Sequence, residues 1–253
     1  MKRLVFSSVF AAAVTAALMS AGSAIAQSSK AAWRFQELVS LPAASAPGGT
    51  QDTGWVNILT THIKTPNAKE LAMGVSLQCG LVTDTTVRSK NGDLDSSAAR
   101  GRIRVRVEIT QPDGSVVYGQ PDNGADLSTD IPFASGEVEG LTFCDRYQKL
   151  EAKFSGLTCT ANEYGEVTCA TPEELRLIMK TLNAQHFNFL HANAVPGIHR
   201  VTVQARAQAG IKLGGTQLGA AGAEAFAGAG ALSVETIRLI KNANGTTDLN
   251  NLN

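Results

Sequence analysis

The chain has 253 residues, with 22 Lys and Arg against 22 Asp and Glu, and 43% of its side chains are hydrophobic. Such a charge balance supplies no whole-protein field for gathering nucleic acid or an anionic membrane, and 6% aromatic content leaves little for a broad stacking surface. The length suits one domain or two small ones with a real core.

The N-terminus opens with Lys2 and Arg3, continues as an apolar run from Leu4, and reaches small residues at Ala24-Ile25-Ala26. This is the pattern of a cleavable secretion signal over residues 1–26, cut after Ala26, and the run is short and Ala/Ser-diluted for a permanent membrane span. The expected product is a secreted or periplasmic, soluble chain beginning at Gln27. Loss of Lys2 and Arg3 would leave 20 basic residues against 22 acidic, a net charge of −2.

Residues 27–54 read as a flexible segment with a loop at Ala46-Pro47-Gly48-Gly49, and the piece from Trp33 to Val39 reads as a short strand or a helical turn. A β-domain is expected over 55–241 and a frayed tail over 242–253. Strand character begins at Trp55 and runs through Val56 to Ile63 until Thr65-Pro66-Asn67. Leu71, Met73, Val75, Leu77, Cys79 and Leu81 then alternate with small or polar residues, which predicts a half-buried strand with Cys79 facing inward. Ile103, Val105, Val107 and Ile109 alternate with Arg102, Arg104, Arg106 and Glu108, and Gln111-Pro112-Asp113-Gly114 supplies turn chemistry before a returning strand at 115–118. Residues 121–136 read as a loop, with strands at 138–144 and 147–154.

Thr171-Pro172-Glu173-Glu174 has the form of a helix N-cap, followed by Leu175, Ile178, Met179 and Leu182 at helical spacing. These predict one short capped helix over about 172–182. Phe187 to Leu190 and His199 to Ala205 read as strands. The Ala/Gly-rich stretch 209–231 reads as a flexible loop or weak hairpin, and 232–241 as a strand. Many short strands with turn signals and a single helix predict an antiparallel β-sandwich or jelly roll.

Four cysteines, Cys79, Cys144, Cys159 and Cys169, fit two disulfides in an exported chain, with the pairing Cys79–Cys144 and Cys159–Cys169 preferred among the three that four cysteines allow. The second pair brackets a hairpin-like stretch. No Cys-x-x-Cys spacing supports a zinc site.

The arginines at 100, 102, 104 and 106 share one strand face; they either grip an anion, with Arg102, Arg104 and Arg106 as the candidate residues, or form an outward solvated edge or pairs with acids on neighbouring strands. The solvated edge or acid pairing is the favoured reading. His186, His191 and His199 lie close in sequence, but a separation of five sends His186 and His191 to opposite faces of a strand, and His199 shares its face with Val201 and Val203 as a core histidine would. Two acidic loops, 91–95 and 122–126, offer the oxygen ligands calcium requires, although Asx-Gly clusters are also ordinary turn formers. No other cofactor is implied, and no nucleophile motif of the Gly-x-Ser-x-Gly, Ser-x-x-Lys or His-Glu-x-x-His kind occurs.

The runs Phe187-Asn188-Phe189, Gly197-Ile198-His199-Arg200-Val201-Thr202-Val203-Gln204 and Ala231-Leu232-Ser233-Val234-Glu235 resemble uncharacterised secreted bacterial β-sandwich proteins. They also resemble the closing strands of jelly-roll modules of the tumour-necrosis-factor/complement type and of phage-tail receptor-binding tips. The likeness covers about the last quarter of the chain, and it implies binding or assembly, without carrying over any site residue. The expected function is therefore an exported, non-enzymatic β-sandwich that binds a protein or glycan partner, or joins a surface or periplasmic assembly as a homo-oligomer. The alternative is a metal-dependent or hydrolase-like secreted enzyme using the histidines at 186–199.

Overall fold

A computed structural model describes residues 30–37, 44–45, 49–89, 94–125, 130–133, 137–153, 159–169, 173–215 and 219–238. The expected signal and tail lie outside them. The described residues are all β, with antiparallel sheets. In chain order the strands are β1 (Ala31–Gln36), β2 (Ala44–Ser45), β3 (Thr50–Asp52), β4 (Val56–Thr65) and β5 (Lys69–Ser89). There follow β6 (Leu94–Thr110), β7 (Val116–Tyr118), β8 (Asn123–Ala125), β9 (Glu137–Glu139) and β10 (Leu141–Lys153). The remainder are β11 (Cys159–Ala161), β12 (Val167–Cys169), β13 (Glu173–Ala194), β14 (Gly197–Gly215) and β15 (Ala220–Ile237).

Two large sheets carry the core. The first runs β1-β15-β5-β13, with β2 also on β15; the second runs β10-β6-β14-β3, with β4 also on β14 and β7 also on β6. The period-two pattern explains why they stack. Leu71, Met73, Val75, Leu77 and Leu81 of β5 meet Ile103, Val105, Val107 and Ile109 of β6 and Val201 and Val203 of β14 in one buried cluster. Each such side chain taken from water contributes about 1.5–3 kcal/mol. Cys79 points inward among them and is bonded to Cys144 of β10, so the bridge ties one sheet to the other.

A bulge prepares that bond. The β10–β6 register slips between Thr142 and Cys144, and the extra residue, Phe143, is buried with its ring 5.0 Å from that of Phe187. Two consecutive side chains thereby face the core, which regular pleating forbids.

The stretch 209–231 is not the loop or weak hairpin its composition suggests. Gly210 to Gly215 complete β14 and Ala220 onward form β15, which belong to different sheets. Ala223, Ala225 and Ala227 alternate into the core opposite Ala205, Ala207 and Ala209. Small side chains on both layers let the backbones approach: a Cβ on Gly101 of β6 would lie 3.0 Å from the carbonyl oxygen of Glu224. Low bulk signals close packing here. The piece beginning near Trp33 is a strand, since β1 pairs with β15 from Ala31↔Glu235 to Gln36↔Gly230, and β3 pairs with β14. Of the two runs expected at 138–144 and 147–154, residues 138–139 fall in β9, which pairs with β8, and residues 141–153 form the single strand β10.

The helix expected over 172–182 is also corrected. Residues 173–182 begin β13, a strand of 22 residues laddered to β5 from Glu173↔Ser89 to Leu182↔Gly80 and beyond. The apolar set that mimics helical spacing occupies both faces of a strand instead: Leu175, Leu177 and Met179 on one, Ile178 and Leu182 on the other. A cap and a weak intrinsic propensity, worth about 1 kcal/mol, lose to a continuous ladder with a buried neighbour.

Two hairpin turns follow their sequence signals. At Gln111-Pro112-Asp113-Gly114 the Gly114 N–H donates to the Gln111 carbonyl, and at Asn162-Glu163-Tyr164-Gly165 the Gly165 N–H donates to that of Asn162. Both glycines have positive φ (86° and 77°), the conformation the turn requires at that position.

Candidate functional site

Strand β13 forms the end of its sheet. Its outer edge is met among the described residues at Leu190, whose N–H and carbonyl exchange hydrogen bonds of 2.7 Å with Gln120. Because backbone polar groups alternate direction along a strand, the even-numbered residues from Glu174 to Asn188 also aim their N–H and carbonyl groups away from β5. Leu175 (46% exposed), Leu177, Ile178, Met179 and Leu182 (59%) decorate this edge. A long, apolar strand edge without proline is the surface that proteins ordinarily blunt or cover.

On the outer face, Arg88 of β5 holds Glu174 at 2.8 Å and Arg176 of β13 holds Asp84 at 2.5 Å. The hydrogen bond from Arg176, with its charge, keeps the Asp84 carboxyl below its ordinary value against the opposing effect of burial. These four side chains line a cleft of about 260 Å³ with Thr86, Ala220 and Ala221. Lys180 has no acidic partner among the described residues.

The arginine face of β6 is not solvated. Arg100, Arg102 and Arg104 are 2%, 0% and 0% exposed. Arg100 pairs with Asp145 and donates to the Ile131 carbonyl at 2.8 Å. Arg102 donates twice to Gln208 Oε1, at 3.0 and 2.7 Å, and Arg104 donates to the Gly140 carbonyl. Arg106 donates to Gln204 Oε1 at 2.7 Å and pairs with Glu139. The Phe133 ring lies 5.0 and 4.7 Å from the Arg100 and Arg102 guanidiniums, and Trp55 and Tyr118 lie 4.4 and 4.6 Å from that of Arg106. Ionic groups buried to this degree need partners; Ile131, Phe133, Glu139 and Gly140 supply some, and Asp145, Gln204 and Gln208 supply others. The result is a charged, aromatic layer outside the apolar core. At its margin Arg206 grips Asp52. Burial pushes the Asp52 carboxyl up, but the hydrogen bonds from Arg206, Gly54 and Gln208 and the Arg206 charge together hold it below its ordinary value.

The sequence missed this cover because nothing in residues 121–136 marks Ile131 and Phe133 as lids for a strand some thirty positions earlier. The residues expected to grip an anion, Arg102, Arg104 and Arg106, are brought together, with amide, carbonyl and carboxylate oxygens of the chain itself around them.

The histidines divide as their spacing predicts. His186 faces outward, with Nδ1 2.8 Å from Ser76 Oγ and Nε2 3.0 Å from Asn188 Oδ1. His199 is fully buried, with Nε2 2.8 Å from the Val195 carbonyl and 3.1 Å from Thr65 Oγ1. The carbonyl makes that nitrogen the donor and leaves Nδ1 a bare lone pair; Nδ1 of His199 and Nε2 of His191 are both buried with no hydrogen-bond partner. Burial, and secondarily the neighbouring His199, push the His191 pKa down.

Cys159 and Cys169 occupy directly opposed positions in the β11–β12 hairpin. Of the two acidic loops, Asn91 to Asp93 and Asp126 lie outside the described residues. Asp95 is fully buried, and its Oδ2 accepts the Arg88 N–H at 2.8 Å. Among the described residues no group of three or more His, Cys, Asp and Glu is placed to hold a metal ion, and no helix is long and apolar enough to cross a membrane.

No family model and no curated protein matches the chain. Among solved structures it is similar to a chain of the infectious bursal disease virus Gx strain, at 12% identity and a TM-score of 0.19, covering 85% of this chain and 45% of that one. A chain of the Gt strain of the same virus shows 12% identity and a TM-score of 0.16, with 87% of this chain and 45% of that chain covered. The protein thus spans under half the length of both viral chains that it resembles.

Proposed function

We propose that this protein is an exported, non-enzymatic β-sandwich that engages a partner by strand addition along β13, in the secreted or periplasmic space. The observation that carries the reading is the outer edge of β13, where outward-directed backbone groups from Glu174 to Asn188 run beside apolar side chains on both faces. Added strands gain affinity from backbone hydrogen bonds and specificity from alternate side chains. The Cys79–Cys144 bridge supports an oxidising compartment, as does the N-terminal signal pattern over residues 1–26. An enzyme built on the histidines would have to work with His191 and His199 alone, because His186 lies on the other side of the sheet.

The test uses a fluorescent peptide of alternating Thr and Val flanked by Lys, added to protein diluted until it sediments as a single chain. Saturable binding by the native chain, abolished by Ile178→Pro, is the expected result. Proline there removes an outward N–H while leaving the β5 ladder intact. Equal binding by both forms, or by neither, would remove β13 as the site.

A further inference from the structure

We infer that the strand completing this sheet is β13 of a second copy of the same chain, paired antiparallel about a two-fold axis at Leu177. The inference rests on the strand-addition reading above and adds the partner and the register. Two copies related by a two-fold axis pair residue i with residue j at a constant sum. Directly opposed residues in an antiparallel ladder must both present their hydrogen-bonding groups or both turn them away. Only even-numbered positions of β13 present them outward, so the sum must be even and the axis must pass through a residue.

Charge then selects among the axes. With the axis at Arg176 the arginine meets its own copy, at Ile178 it meets Lys180, and at Lys180 the lysine meets itself. An axis at Met179 or Thr181 brings no opposite charges together. An axis at Leu175 sets Glu174 against Arg176 but overlaps the strands only over 173–177. An axis at Leu177 overlaps 173–181, sets Glu174 opposite Lys180 of the second copy at both ends, and places Arg176 beside Ile178. Lys180, which has no acidic partner among the described residues, gains one. On the other face Leu177 meets its own copy, and Leu175 meets Met179, so half-exposed side chains close into one apolar strip. The ion pairs Arg88–Glu174 and Arg176–Asp84 already hold two of these side chains in place, which lowers the entropy cost of ordering them at the contact.

The test measures mass by sedimentation across a dilution series and places single cysteines at the contact. The native chain is expected to form a dimer, and Ile178→Pro, with an unchanged melting profile, to weaken it by at least about tenfold. Lys180→Glu should also weaken it by setting like charges opposite, and the double exchange Glu174→Lys with Lys180→Glu should restore it. Leu177→Cys should give a disulfide-linked dimer on oxidation, since the axis residue faces its copy, whereas Leu182→Cys should not. A dimer that tolerates Ile178→Pro, a cross-link at Leu182 in place of Leu177, or no recovery in the double exchange would overturn the register and the partner. A chain that stays single at every concentration yet binds the Thr/Val peptide would overturn the second copy and leave strand addition standing. A single chain that binds no peptide would end both.

Discussion

Cys79 of β5 and Cys144 of β10 are joined across the two sheets, and the residue that sets up this bond is Phe143, bulged out of register beside it. The sequence separation of 65 closes a long loop, and the chain-entropy account assigns about 4 kcal/mol to such a constraint. Replacing both cysteines by alanine should therefore lower the stability by about that amount in a urea titration. A loss under about 1 kcal/mol would mean the unfolded chain is scarcely constrained by the bond.

The hairpin β11–β12 makes a second prediction about sulfur. Its register pairs Cys159 with Cys169, and the turn bonds from Asn162 to Glu166 and from Gly165 to Asn162 make that pair a non-hydrogen-bonded one. Such pairs hold their Cα atoms about 4.5 Å apart, inside the span a disulfide bridges. Peptide mapping of unreduced protein should recover Cys159 linked to Cys169, and recovery of either linked to Cys79 or Cys144 would contradict it.

Arg102 and Arg88 should respond very differently to truncation. Arg102 is fully buried with two hydrogen bonds to Gln208, so Arg102→Ala strands a buried acceptor and opens a void, at a cost of at least about 2 kcal/mol. Arg88 reaches Glu174 at the surface, and Arg88→Ala should cost less than about 1 kcal/mol. Equal losses in denaturant titrations would show that the covering segment does not exclude water from Arg102.

Acid should weaken the fold in two stages. Burial depresses His191 in the folded state, so the unfolded chain takes up the proton first. Stability is then complete above the unfolded histidine value of about 6.5 and declines as pH falls below it. Asp52 and Asp84, held below the ordinary carboxyl value of 3.8, contribute stability that is lost only as pH falls below that value. His191→Leu should remove the first stage and leave the second; a profile unchanged between pH 7 and 5 in the native chain would refute the histidine's part.

The sequence was most legible where one face of a strand is buried and the other is not. The alternation at 71–81 and 103–109 gave both central strands, and His199 announced its burial through Val201 and Val203. It was misleading where that condition fails. Strand β13 sits at an edge, so apolar residues on both faces imitate a helical stripe beside a proline and two acids. The arginine face was hidden for a related reason: burial there comes from a distant lid, and alternation within β6 cannot register what Ile131 and Phe133 lay over it. The outer edge of β13 left no motif because the groups it presents belong to the backbone.

The central position of β5 also governs the order in which the molecule can be completed. Both of its neighbours come late, one beginning at Glu173 and the other at Ala220. A chain delivered from its N-terminus must therefore keep this most apolar segment waiting until nearly all the rest has arrived. Closure over such distances is slow, and until the last strand docks, the waiting segment lies open to pairing with a strand of another molecule.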